Sequence, residues 1–272
     1  MQCKVFVLWT LMGASIVGSS AARSEVVSFP SDGKILKGEL YVPEGKGPFP
    51  AILYNHGGTP GMEILDAFNA LGPAFAKRGW VFFGPYRRGQ GRSADVGGFI
   101  GDAVDAAKRD GGIKKAQAVA THVLETEQLT DQLAGLEWLK AQSFVKPASI
   151  AVGGNSFGGI VTVFGIEHGG YCAGIDSAGA AESWSSAPDL QMALLRAVRN
   201  ATAPLFLFQA KNDVNLAPTH VLSDAMTAAG KTHVTKIYPP FGKDADDGHV
   251  FGYFGSDMWI EDAMQFLAKY CH

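Results

Sequence analysis

Residues 148–168 read ASIAVGGNSFGGIVTVFGIEH. The stretch opens with a short apolar run, passes through Gly154-Asn155-Ser156-Phe157-Gly158, and continues into a second apolar segment of helical length. As a bare pattern, G-x-S-x-G means little: 34 glycines in 272 residues and the serines among them produce roughly 0.25 such matches by composition alone. Its placement carries the weight. A serine between a buried strand and the helix that follows is held on a tight turn with its hydroxyl standing above the sheet. Glycines are needed on either side because side chains there collide with the neighbouring backbone. The first amide of the helix, that of Phe157, presents a free N–H with positive partial charge.

Around this turn the chain alternates short apolar runs with helical patterns. Residues 25–29 and 35–42 flank Ser31-Asp32-Gly33 and predict an antiparallel hairpin. Strands are expected at 50–55, 80–85, 148–153, 171–177, 204–209 and 233–238. Helices are expected at 63–78, 102–109, 114–142, 157–168, 189–199, 219–229 and 256–269. Leu124, Leu129, Leu133, Leu136 and Leu139 mark one side of the long helix. Strands alternating with helices of these lengths imply an α/β fold with a mostly parallel sheet covered on both faces. No repeat or linker divides residues 23–272, which read as a single domain.

Composition bounds the function. A formal charge of −3, 18% charged residues and no Lys/Arg-rich run exclude a general nucleic-acid binder. An apolar content of 47% excludes a mostly disordered chain. Residues 1–22 have the order of a secretory signal peptide: Lys4, an apolar stretch over 5–17, then Gly18-Ser19-Ser20-Ala21-Ala22. A stretch of thirteen residues falls short of the roughly 20 that span a bilayer, so export with cleavage, and no stable membrane span, is expected. Cys3 leaves with that segment. Cys172 and Cys271 then form an even pair in an oxidising compartment, either a disulfide or two buried thiols.

A serine nucleophile needs a base, and the base an orienting carboxylate. Of the seven histidines, His249 falls in the loop GKDADDGH between the last strand and the last helix, at the sheet edge that carries Ser156. His122, His168, His220 and His233 belong to helix ends and a strand start, and His272 is terminal. Asp213 follows strand 204–209 at the same edge; Asp176, Asp244, Asp246 and Asp247 are its rivals. Ser156, Asp213, His249 is the chain order of an α/β-hydrolase triad. The strand 50–55 ends in His56-Gly57-Gly58, and the Gly58 N–H is the expected second oxyanion donor beside that of Phe157. His56 reads as a packing residue. Arg87 and Arg88, in YRRGQGRS, either grip an acidic substrate or scaffold the loop. Residues 94–120 are a partial lid or a surface insertion. Phe157, Trp184, Phe251 and Tyr253 are candidates for an acyl pocket or for the core. No His/Cys cluster has zinc spacing, and the 244–248 run lacks the pattern of a calcium loop, so no metal or cofactor is expected.

HGG after one strand, YRRGQGRS after the next, GNSFGG, QAKND and DGHVF together resemble the α/β-hydrolase superfamily over about 26–270. Within it the chain looks like the serine-nucleophile dienelactone hydrolase-like esterases and the catalytic domains of prolyl oligopeptidase-type enzymes. The resemblance implies an eight-stranded sheet and hydrolysis through an acyl-enzyme, with Ser156, Asp213 and His249 at the triad positions. Two departures stand out: Ser156 occupies the place of a cysteine in dienelactone hydrolases proper, and the propeller of the oligopeptidases has no counterpart. A small-molecule ester is the expected substrate, with peptidase or amidase action on short peptides the alternative. Oligomeric state is not legible.

Overall fold

The computed structural model describes residues 23–272; the expected signal segment lies outside the described residues. Eight strands join one sheet in the order β1-β2-β4-β3-β5-β6-β7-β8. They are β1 (Arg23–Ser31), β2 (Lys34–Val42), β3 (Phe49–Asn55), β4 (Val81–Pro85), β5 (Val145–Asn155), β6 (Gly174–Ser177), β7 (Leu205–Ala210) and β8 (His233–Tyr238). β1 pairs antiparallel with β2, and β2 with β4; every pairing from β4 to β8 is parallel. The hairpin turns on Asp32 and Gly33, both at positive φ, as the Ser-Asp-Gly signal predicts.

The central parallel strands β3, β4 and β7 are apolar and buried because both sides of the sheet are covered there. One core joins Leu53, Val152 and Leu207 to α3 (Leu129–Lys140), α4 (Phe157–His168), α5 (Pro188–Arg199) and α6 (Ala217–Ala228). The other packs Ile52, Phe82 and Phe208 beneath α1 (Ile64–Ala76) and the carboxy-terminal helix described below. The α/β-hydrolase architecture is the outcome.

The long insertion departs from expectation in detail. α2 (Ile100–Val123) breaks at Gly111–Gly112, where Gly112 takes φ +74°, so two helices meet there as the sequence suggests. The helix expected over 114–142 is instead interrupted by a π-type turn at Leu124–Gln128 before α3 begins. The wider turn brings Leu124 and Leu129, five apart, onto one buried face, where Leu136 and Leu139 continue it. β6 starts three residues later than expected.

Cys172, just before β6, and Cys271, at the end of the last helix, form a disulfide. Both lie at the sheet end away from Ser156. The bridge closes a loop with a sequence separation of 99, which the chain-entropy account values at ~4–5 kcal/mol. Cys271→Ser should therefore lower the unfolding free energy by about that amount in denaturant titration; a change below about 1 kcal/mol would refute the loop-entropy account here.

Candidate active site

β5 delivers the chain to Ser156 at φ +58°, ψ −122°, a left-handed conformation that a non-glycine residue adopts at a cost of roughly 1–3 kcal/mol. The turn around it is locked. Ser156 N–H donates to Ser177 O at 3.0 Å, and Ile160 N–H donates back to Ser156 O at 3.1 Å. A Cβ on Gly154 would stand 2.3 Å from Gly158 O, and one on Gly158 would stand 2.1 Å from Asn55 O. The two glycines of the motif are thus fixed by close backbone approach.

Asp213 follows β7 on a turn and has a fully buried carboxylate. Its Oδ2 accepts from Gln209 Nε2 at 2.7 Å, and its Oδ1 accepts from the Val214 N–H at 2.6 Å. His249 Nδ1 lies 3.0 Å from Oδ1. The expected loop around His249 proves to be helical: α7 (Ala245–His249) and α8 (Phe251–Phe254) precede the carboxy-terminal α9 (Ser256–Tyr270). The reason lies in the acidic run. Asp244 Oδ1 accepts from the Asp247 N–H at 3.0 Å as a helix cap, and Asp246 and Asp247 sit at the positive end of the turn. Asn212 ties this turn down, donating to Asp244 O, at its cap, at 2.5 Å and to Phe241 O at 2.8 Å, and accepting from the Phe241 N–H. Asn155, beside the serine, donates to His249 O at 3.1 Å.

His249 is buried. Burial, the largest influence, disfavours its imidazolium, but the hydrogen bond and charge of Asp213, with Glu182 and Asp246 farther off, outweigh it. The imidazole therefore titrates above its ordinary value. Nε2, the ring nitrogen away from Asp213, makes no hydrogen bond among the described residues; its nearest charged neighbour there is Glu182 Oε2 at 3.7 Å. Ser156 Oγ likewise has no hydrogen-bond partner among the described residues. Both side chains line a cleft of about 360 Å³. A direct Ser–His bond often forms fully only with substrate in place.

The expected oxyanion loop lies beside Ser156. A Cβ on Gly57 would be 3.6 Å from Ser156 Cβ. Gly57 N–H donates to Tyr253 Oη at 2.6 Å, while the Gly58 N–H has no acceptor among the described residues. A Cβ on Gly58 would lie 2.7 Å from the Phe157 ring, so glycine is required for this loop to close over α4. The Phe157 N–H, first in its helix, has no intrahelical acceptor.

Asp176 lies at the end of β6 but accepts from the Gly179 N–H at 3.1 Å and does not bond His249. Its burial pushes the carboxyl up to about 7. Arg88 pairs with buried Asp131 through Nε and Nη2, and Arg92 with Glu39. Arg87 and Arg88 are both buried, so they scaffold the loop and do not face the cleft. No residue of 94–120 lines the cleft. Trp184 and Phe251 belong to the core, and Phe157 packs against Gly58; of the four aromatic candidates only Tyr253 lines the cleft. Phe254, half exposed on its wall, and Glu182 were not foreseen. A larger depression of about 450 Å³ between α2 and α5 contains Arg196, already paired with Glu125 and Glu167, and has no nucleophile–base pair. Among the described residues, no cluster of His, Cys, Asp and Glu is arranged to hold a metal, and no helix is long and apolar enough to cross a membrane.

The chain is similar to known proteins over most of its length. The model of the dienelactone hydrolase family matches residues 36–253. Among solved structures, a Pyrococcus horikoshii acylaminoacyl peptidase superposes with a TM-score of 0.64 at 18% identity, covering 93% of this chain and 42% of its own. A Mycobacterium tuberculosis puromycin-hydrolyzing peptidase gives 0.64 at 16% identity, over 92% of this chain and 39% of that one. A Pyrococcus furiosus esterase gives 0.65 at 15% identity, over 92% and 94%. The chain thus spans well under half of either peptidase but nearly the whole esterase. At these identities the likeness is one of fold.

Proposed function

The chain belongs to the dienelactone hydrolase family, and on that premise we propose that it is an exported serine hydrolase that cleaves small carboxylic esters through an acyl-enzyme. It is a hydrolase by family; the substrate class, the triad roles and export are the proposal. One observation carries it: a serine in left-handed backbone between β5 and α4 shares a cleft with the free nitrogen of a carboxylate-oriented histidine.

In this reading Ser156 Oγ attacks the ester carbonyl while His249 Nε2 takes its proton. Asp213 keeps the other proton on Nδ1 and stabilises the imidazolium. The N–H groups of Phe157 and Gly58 receive the oxyanion. His249 then protonates the departing alkoxide. Water, deprotonated in turn by His249, releases the acid and restores the serine. The Cys172–Cys271 disulfide supports export, since such bridges persist in oxidising compartments.

Fluorophosphonate labelling followed by peptide mass spectrometry should place the adduct on Ser156. A panel of p-nitrophenyl esters and aminoacyl anilides should show faster turnover of the esters. Labelling elsewhere, or anilides cleaved faster than esters, would overturn the reading.

A pH profile provides a further check. The base acts only when neutral, and its titration lies above the ordinary histidine value of about 6.5. kcat/KM should therefore rise with pH through a midpoint above 6.5. Glu182→Gln removes a charge that favours the imidazolium, so the midpoint should move down. A midpoint that stays put would show that Glu182 does not act on the base.

A further inference from the structure

Arg87 is fully buried, yet among the described residues it has no carboxylate within ion-pair distance. Its neighbour Arg88 takes Asp131. The Arg87 guanidinium instead turns to carbonyl oxygens: Nη2 donates to His56 O at 2.7 Å and to Gly57 O at 3.1 Å. Nε donates to Gln128 Oε1 at 2.7 Å, and Nη1 has no partner among the described residues. Gln128 is the last residue of the π-type turn, the local irregularity that aims it inward. It also accepts from Gln90 Nε2 at 3.0 Å.

A buried cation without a counter-ion is expensive, and a neutral side chain would scaffold these carbonyls more cheaply. Burial pulls Arg87 down only to about 10, so it stays charged at neutral pH. What that charge touches is informative. The Gly57 carbonyl belongs to the same peptide group as the Gly58 N–H. A cation bound to the oxygen of a peptide draws electron density from its nitrogen and makes the N–H a stronger donor. The peptide is fixed from other directions as well. Gly57 N–H is held by Tyr253 Oη, and His56 Nδ1 lies 2.7 Å from Gly57 O. The Arg87 backbone N–H donates to His56 Nε2, which leaves the imidazole proton on Nδ1 to face that oxygen. His56 stays neutral, since burial and then the charge of Arg87 hold it well below its ordinary value.

We propose that Arg87 is a positioning residue for the oxyanion site: its buried charge orients and polarises the Gly57–Gly58 peptide, so that the Gly58 N–H binds the tetrahedral oxyanion more strongly than the ground-state carbonyl. The inference rests on the ester-hydrolase reading above and adds a residue that does not itself touch substrate.

The test compares Arg87→Met, Arg87→Lys and Gln128→Leu with the wild-type protein. The readouts are kcat and KM on p-nitrophenyl acetate, and Ki for a trifluoromethyl ketone whose serine adduct carries the oxyanion. Loss of a direct oxyanion donor lowers kcat by ~100–1,000-fold; a residue acting through the donor should lower it by about 10–100-fold in Arg87→Met. KM should change by less than about 3-fold, because ground-state binding is spared. Arg87→Lys, which restores charge, should recover part of the loss. The logarithm of Ki should rise in step with the loss in kcat/KM across the variants. A purely structural role would lower Tm without that parallel. Unchanged kcat in a folded variant, or a Ki that does not follow kcat/KM, would overturn the proposal. If the Arg87 variants do not fold, Gln128→Leu keeps the guanidinium while removing its Nε acceptor. The same parallel at smaller size supports the inference, and an unchanged kcat overturns it. Wild-type protein that labels at Ser156 while Arg87 variants behave normally sinks this inference alone. Wild-type protein that neither labels nor turns over esters sinks the parent reading with it.

Discussion

Ser156→Ala should retain less than about 10⁻⁴ of wild-type ester turnover, and losses near 10⁶-fold are in range for a serine nucleophile. The change should hardly touch the fold. Ser156 Oγ has no hydrogen-bond partner among the described residues, so its removal strands no polar atom. The unusual backbone persists, because alanine meets the same steric objection at φ +58° as serine. Tm should accordingly stay within about 2 °C of wild type, the range expected for a change of a few tenths of a kcal/mol. Ser156→Gly provides the complement: equally inactive, but more stable by about 1 kcal/mol, since glycine relieves the strain. Steady-state kinetics and differential scanning calorimetry decide both points. An alanine variant with a tenth of the wild-type rate would remove Ser156 from the chemistry.

Asp213→Asn should lower kcat by ~10⁴-fold while leaving KM nearly unchanged. The carboxylate accepts from Gln209 Nε2, from the Val214 N–H and from His249 Nδ1. An asparagine amide has one oxygen, and its NH₂ group cannot accept from the remaining donors. If that NH₂ faces His249, the imidazole proton moves to Nε2 and the ring can no longer act as base. Asp176→Asn is the control. That carboxyl is also buried near the elbow, but it bonds Gly179 and not His249, so turnover should stay within about 3-fold of wild type. Equal losses in the two variants would show that neither carboxylate is specific to the base.

Much of this was legible in the sequence because it depends on local periodicity. The helix expected over 157–168 and the strand expected over 233–238 have those bounds in the structure, each set by a glycine or polar break. The placement of the candidate residues was legible where loop position implies sheet edge: Ser156, Asp213 and His249 each follow a strand, and parallel strands present these loops together. What escaped depends on partners distant along the chain. The helical turn before His249 needed Asp244 to cap rather than merely solvate. Arg87 was ambiguous because its acceptors, the His56 and Gly57 carbonyls and Gln128, lie 30 to 41 residues away. Glu182 sits 67 positions before His249, on a loop with no motif of its own. The π-type turn also hid, since a five-residue gap between leucines reads as an ordinary lapse in helical spacing.

The Cys172–Cys271 bridge has a consequence for damaged protein. Lys243 is exposed on the segment before α7, within the covalent ring and between Asp213 and His249. Trypsin cutting there would separate the polypeptide into a piece bearing Ser156, Asp213 and Cys172 and a piece bearing His249 and Cys271. The sulfur link keeps the two halves as one molecule, so clipped enzyme migrates as a single band until a reductant is added.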